Sequence, residues 1–261
     1  MSHTLTKIID NLKTKTEVDA VFITGSQGDE HKPYSDIDLV IILNKHAHDL
    51  PSLYTWIDDT FADIFFFDHA DLERIATSKE LPSNAMDAVL VSWLHKATIQ
   101  FDKSGKLTDL KGKRNELDTK AVIPKSEKVT FKEKINYNLI ANTRYFYSND
   151  PLYHEALEMR FLYSISEVFM GYFEFRDILW RGEKAAIKYL KENDVNFYNA
   201  FMGYAKATNL SDKFEKYTAL VGLVFTAEYT QWKKGNAFPQ VKDKVNMDSK
   251  KLIEYWNGLI N

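Results

Sequence analysis

The stretch that decides the fold is GSQGDEHKPYSDIDLVII, residues 25–42. It holds a Gly-Ser pair, a polar loop with Pro33 and Tyr34, and two aspartates, Asp36 and Asp38, on either side of Ile37. The apolar run over residues 18–24 stops at Gly25 and reads as a buried strand. Residues 38–43, rich in Ile and Val, read as a second strand. A short loop lets the two pair antiparallel, which brings Ser26 and the aspartates to one edge of a sheet.

Alternate residues of a strand share a face, so Asp36 and Asp38 project together, about 6–7 Å apart at Cα. Carboxylates this close repel, and one pKa rises unless a cation lies between them. Magnesium takes oxygen ligands and is commonly held by one or two carboxylates plus substrate phosphates. The pair therefore reads as a Mg²⁺ site completed by a triphosphate. Gly25 ends its strand where backbone must come close to something, and Ser26 offers both an N–H and a hydroxyl. A helix starting there would cradle phosphate on its unpaired N–H groups.

Two-metal phosphoryl chemistry, with ions about 3.5–4 Å apart, calls for a third carboxylate. Asp63 and Asp68 bracket a third apolar run, residues 62–67. At that spacing they face opposite ways and lie roughly 16–17 Å apart, so only one can join the site. Residues 44–60 are long enough for a crossover that sets the third strand parallel to the second. Asp63 then falls beside Asp36 and Asp38 and is the expected third ligand.

The surrounding pattern alternates helix and strand. Residues 3–16 predict an amphipathic helix from Leu5, Ile8, Ile9 and Leu12, and residues 49–61 a crossover helix. Residues 70–76 read as helix, 85–94 fit either class, and 98–101 read as a strand entering the DKSGK turn. A charged, apolar-poor segment containing Pro124 reads as a linker over residues 113–128. Helical patterns follow at about 131–148, 152–180, 183–206, 210–234 and 248–260. The expectation is an α+β chain: a mixed β-sheet with flanking helices over residues 1–112, then an α-helical bundle over 129–261.

The residues 25–42 resemble the Gly-Ser, spacer, Ser-Asp-x-Asp signature of the DNA polymerase beta-like nucleotidyltransferase superfamily. That resemblance implies that Asp36 and Asp38 bind magnesium and that Gly25 and Ser26 hold nucleotide phosphates. Ser35, the serine of the signature, joins them as a nucleotide-side candidate, its hydroxyl suited to bonding the turn backbone. The segment ADIFFFD is similar to the strand bearing the superfamily's third carboxylate, and ATIQFDKSGKL resembles its closing strand and turn. The two-part layout is similar to the aminoglycoside and lincosamide nucleotidyltransferases. One departure stands out. Many relatives carry a basic residue and a later glycine in the spacer, whereas here Asp29 and Glu30 occupy it and Lys32 is its one formal cation.

Other readings carry less. Asp-x-Asp also begins ordinary solvated strands and marks nucleotide-sugar glycosyltransferases, which do not need an upstream Gly-Ser turn. The run His46-Ala47-His48-Asp49 lacks the spacing of metallo-hydrolase ligands, and His95 reads as a satisfied histidine near the core. Glu158, Glu167 and Glu174 lie among apolar neighbours on one predicted helix, each a candidate general base or an ordinary paired carboxylate. Arg176, Arg181 and Lys184 are phosphate candidates or a solvated helix end. Tyr145, Phe161, Phe169, Tyr172 and their aromatic neighbours read as bundle core, some of them facing a cleft.

Composition narrows the function classes. The chain has 261 residues, no cysteine and a formal net charge of −3. That excludes disulfides, thiolate metal sites and a cysteine nucleophile, and no basic excess advertises nucleic acid. The first ten residues have no apolar stretch behind a basic start, so no signal peptide is expected, and no apolar run is long enough to span a bilayer. The expected protein is a cytoplasmic, Mg²⁺-dependent enzyme, with two ions, moving a nucleoside monophosphate from NTP, ATP foremost, to a hydroxyl of a small acceptor. The resemblance points to an antibiotic-like acceptor and hence to antibiotic resistance. A homodimer, a transfer to a protein or tRNA end, and a non-catalytic nucleotide-binding module remain as alternatives.

Overall fold

A computed structural model describes residues 2–24, 36–46, 52–95, 97–116, 121–233 and 249–260. The chain divides into two compact units, Met1–Val122 and Ile123–Asn261.

The first unit begins with α1 (His3–Thr14), capped by the Ser2 side chain, which accepts from the Leu5 N–H. It is followed by β1 (Val18–Thr24), β2 (Ile37–Leu43), β3 (Ser52–Ile57) and β4 (Thr60–Asp68). Next come α2 (His69–Thr77), β5 (Leu81–Pro82), α3 (Met86–Leu94), β6 (Thr98–Asp102), α4 (Lys106–Glu116) and β7 (Ala121–Val122). Five strands form one sheet in the order β3-β4-β2-β1-β6. β1 pairs antiparallel with β2 and β6, β2 parallel with β4, and β3 antiparallel with β4. The short β5 and β7 pair in parallel apart from it.

β1 is buried along its whole length, which fits an interior strand covered on both faces and its near-continuous apolar sequence. One face of the sheet, with Val21, Ile23, Ile37, Leu39, Ile41 and Ile64, packs on Leu5 and Ile9 of α1. The opposite face, with Ala20, Phe22, Val40, Ile42 and Phe67, packs on α2, α3 and α4. Each fully buried aliphatic side chain contributes about 1.5–3 kcal/mol.

The crossover helix expected over 49–61 is not there. Residues 52–57 form the edge strand β3, and the Asp58-Asp59 turn, with Asp58 at φ 53°, folds it back onto β4. The parallel β2–β4 pair thus gets its return path from a strand lying outside β4, not from a helix. Aspartate tolerates the left-handed backbone that such a tight turn needs.

The second unit is helical: α5 (Lys125–Phe146), α6 (Pro151–Glu174), α7 (Glu183–Asn193), α8 (Val195–Ala205), α9 (Leu210–Val224) and α10 (Ser249–Ile260). Asp150 caps α6, whose first residue is proline, a preferred N-terminal arrangement. Phe161, Phe173, Phe197 and Tyr217 fill its core. The pattern expected as one helix over 183–206 is two, because the Asp194 carboxylate accepts from the Phe197 N–H and starts α8. Likewise α9 stops at Val224 and α6 at Glu174, short of the expected 234 and 180. The stretch expected as linker holds the end of α4, β7 and the first turn of α5. Among the described residues no helix is long and apolar enough to cross a membrane.

Candidate active site

β2 and β4 bring the aspartates together. Asp36 immediately precedes β2, Asp38 is its second residue, and the parallel register sets Asp38 opposite Asp63 of β4. On its other side Asp38 faces Thr24, the last residue of β1. Ile37 points into the core under α1, so the period of two turns Asp36 and Asp38 to the opposite face, at the end where the apolar packing stops.

Each carboxylate of Asp36, Asp38 and Asp63 offers one oxygen within 4.8 Å of the others. Asp36 is exposed while Asp38 and Asp63 are half-buried. Burial, together with the charges of Asp36 and Asp63, pushes the Asp38 carboxyl up to about 6. Burial and Asp36 likewise raise Asp63. Asp63 Oδ1 is buried and has no hydrogen-bond partner among the described residues. A buried, unpaired carboxylate oxygen in a set of like charges is costly unless a cation satisfies it. The donor set is all oxygen, which suits Mg²⁺ or another hard divalent ion. Among the described residues no other group of three or more acidic or histidine side chains converges in this way.

Neighbouring residues fix the strand ends. Thr24 is buried and its hydroxyl donates to the Trp93 carbonyl of α3 at 3.4 Å. The Trp93 ring packs on Phe65, two residues beyond Asp63, at 4.6 Å. Gly25, Ser26 and Ser35, together with the spacer that carries Asp29, Glu30 and Lys32, lie outside the described residues.

Asp68 does something else. It ends β4, far from Asp63, and forms a reciprocal capping box with Asp71 at the start of α2. It also accepts from the His46 N–H at 3.0 Å. Burial would raise its pKa, but these backbone donors hold it below the ordinary value. His46 lies edge-on to Phe66, and Ala47, His48 and Asp49 lie outside the described residues. His95, expected near the core, is exposed because α3 ends at Leu94.

The helical-unit candidates separate. Glu158 pairs with Lys213 at 2.6 Å. Glu167 accepts from the Asn138 amide and stands 3.8 Å from Lys134; burial raises its carboxyl against these partners and Arg160. Glu174 is buried with Oε2 unpartnered, and burial, Glu127 and Asp177 push it up to about 7 against Lys128. Arg176 is committed to structure: it donates to the Leu223 and Val224 carbonyls at the end of α9 and lies 4.0 Å from the Tyr172 ring centroid. Arg181 stands at the rim of a cavity of about 380 Å³ bounded by Phe173, Trp180 and Tyr189. Lys184 is exposed.

Sequence reasoning missed a polar layer between α5 and α6. Arg160 donates to Asn142 and Asn138, both at 2.7 Å, and Asn142 donates to Ser164 at 3.2 Å. No spacing rule marks it, because its members sit on two helices and pair only across their interface.

A family model described as a nucleotidyltransferase domain matches residues 5–136, just over half the chain. A crystal structure of a nucleotidyltransferase-like protein from Exiguobacterium sibiricum 255-15 is similar, at 12% identity over 85% of this chain and 73% of that one, with a TM-score of 0.44. No curated protein matches.

Proposed function

The chain belongs to the nucleotidyltransferase domain family of the DNA polymerase beta-like superfamily, and from that premise we propose that it moves a nucleoside monophosphate from Mg-NTP, ATP foremost, to a hydroxyl of a small acceptor. The observation that carries this is the convergence of Asp36, Asp38 and Asp63, with Asp63 Oδ1 buried and unpartnered among the described residues, on adjacent strand ends of the family's domain.

In this reading Asp36 and Asp38 would hold the divalent ions, with Asp63 as the third carboxylate, and the chemistry supplied there would be neutralisation of charge on the transferring phosphate and on the attacking and leaving oxygens. Asp38 and Asp63 are held by the β2–β4 register, so positioning precedes substrate arrival. Gly25 and Ser26 hold the β and γ phosphates, and Ser35 supports the turn. A P–O bond forms from the acceptor oxygen to the α-phosphorus, the α–β bridging P–O bond breaks, and pyrophosphate leaves. The hydroxyl proton passes to Asp63 or to water.

Pyrophosphate release from Mg-ATP with a panel of aminoglycosides and lincosamides tests this reading. Turnover by the wild-type chain that drops to background in Asp36→Ala supports it. Mg-ATP binding without transfer to any hydroxyl would leave a nucleotide-binding module instead.

A further inference from the structure

The sheet face that carries the aspartates continues past them onto three exposed aromatic side chains. Tyr54 of β3 sits directly opposite Asp63, and Trp56 directly opposite Phe61. Opposed residues of an antiparallel pair share a face, as do residues two apart on one strand. Tyr54, Trp56 and Phe61 therefore stand on the face of Asp63 and, through the parallel register, of Asp38. The neighbouring parity confirms it, since Ile57, Ala62 and Ile64 turn the other way, into the core with α1. Tyr54 is 60% exposed, Trp56 67% and Phe61 39%. The rings touch one another, Tyr54 stacked on Phe61 at 6.1 Å and Trp56 edge-on to it at 5.2 Å. Directly opposed side chains begin about 5 Å apart at Cβ, so this cluster starts one strand spacing from the Asp63 carboxylate.

The direction of transfer says which substrate meets it. In displacement at phosphorus the attacking oxygen and the leaving group lie on opposite sides of the transferred atom. On the reading above, pyrophosphate is held by Gly25 and Ser26, which follow β1 in sequence. β1 and β4 flank β2 on opposite sides. The acceptor oxygen is then delivered from the β4 side, where β3 and its aromatic face lie. Charge narrows the acceptor further. Residues 52–63 hold no lysine or arginine, and of their aspartates Asp58 is engaged on the α1 side, accepting from the Thr4 hydroxyl at 2.6 Å, which leaves Asp63 as the carboxylate established on this face. Aromatic faces bind ring C–H surfaces and cations well, and no cation of β3, its turn or the start of β4 is there to pair with an anionic acceptor.

We propose that Tyr54, Trp56 and Phe61 form the acceptor-side floor of the transfer site and hold a cationic ring-bearing alcohol by stacking on its ring. This rests on the nucleotidyltransferase reading and adds its specificity residues.

The experiment uses the full chain and calorimetric titration with three probes: kanamycin, lincomycin and the anionic glucose 6-phosphate. Each is titrated into the chain saturated with Mg²⁺ and α,β-methylene ATP. The expected result is binding of at least one of the cationic ring alcohols and none of glucose 6-phosphate. Tyr54→Ala and Trp56→Ala each weaken that binding roughly tenfold or more, while Trp56→Phe stays within about threefold. Mg-nucleotide affinity is unchanged in all three variants. Four results overturn the proposal: nucleotide affinity falling in Trp56→Ala, which puts the base on this face; a dimer dissociating in Trp56→Ala, which puts a second copy there; unchanged probe affinity in both alanine variants; or preference for the anionic probe. A nucleotide-competent wild-type chain that binds neither cationic probe overturns it too. A wild-type chain that binds no Mg-nucleotide at all instead sinks the functional reading on which it rests.

Discussion

Asp38 and Asp63 lie directly opposite each other in the parallel β2–β4 register, with Asp36 close enough to share a ligand with both. The like charges oppose one another when no cation is present, which sets function against stability at this point of the sheet. Asp38→Asn is therefore expected to raise the melting temperature by a few degrees in chelator. The same change removes the stabilisation that added Mg²⁺ and nucleotide give the wild-type chain. Thermal melts with and without Mg-nucleotide read both effects, and a variant that melts lower in chelator would contradict the account.

Asp68 provides the control within the same strand. Its capping box at α2 is a stability feature, so Asp68→Ala should lose about 1 kcal/mol, up to about 2, in denaturant unfolding. Mg-nucleotide affinity should stay where it is.

Glu174 makes stability depend on pH. Its carboxyl rises from an ordinary 4.5 to about 7, so the folded chain binds this proton more tightly than the unfolded chain does. The stabilisation is complete below about 4.5 and is lost as pH rises to about 7, after which it is flat. Glu174→Gln should flatten that slope and leave the variant the more stable at pH 8. Unfolding free energies measured from pH 4 to 8 give the comparison, and parallel curves for the two proteins would refute the assignment.

The polar layer of the second unit is predicted to be costly to break. Asn142→Ala takes the acceptor from Arg160 Nε and the donor from Ser164 inside the α5–α6 contact. The expected loss is about 1–3 kcal/mol by chemical denaturation. A loss below about 0.5 kcal/mol would mean that water replaces the amide there.

The convergence of the three carboxylates was legible because its determinants are local. The run over residues 18–24 and the Asp-x-Asp spacing before residues 39–43 announce two buried strands, and the period of two assigns the aspartates a common face. The edge strand β3 was hidden. Leu53, Trp56 and Ile57 happen to fall at helical spacing, and the signal against a helix was the Asp58-Asp59 pair between two aromatic runs. Edge strands keep one face and one backbone edge in water, so their apolar pattern is weak. Asp194 was equally quiet: the apolar period runs through it, and only the cap it forms divides α7 from α8. Glu174 was visible as one of three glutamates, but its missing partner is a property of packing, not of spacing.

The most direct test of the central claim is calorimetric titration of Mg²⁺ with α,β-methylene ATP into the wild-type chain, Asp36→Asn, Asp38→Asn, Asp63→Asn and Asp68→Asn. The account predicts binding to the wild type and Asp68→Asn alike, and a loss of about 100-fold or more in each of the other three. Wild-type affinity in Asp36→Asn and Asp38→Asn, or loss in Asp68→Asn with Asp63→Asn unaffected, would contradict it.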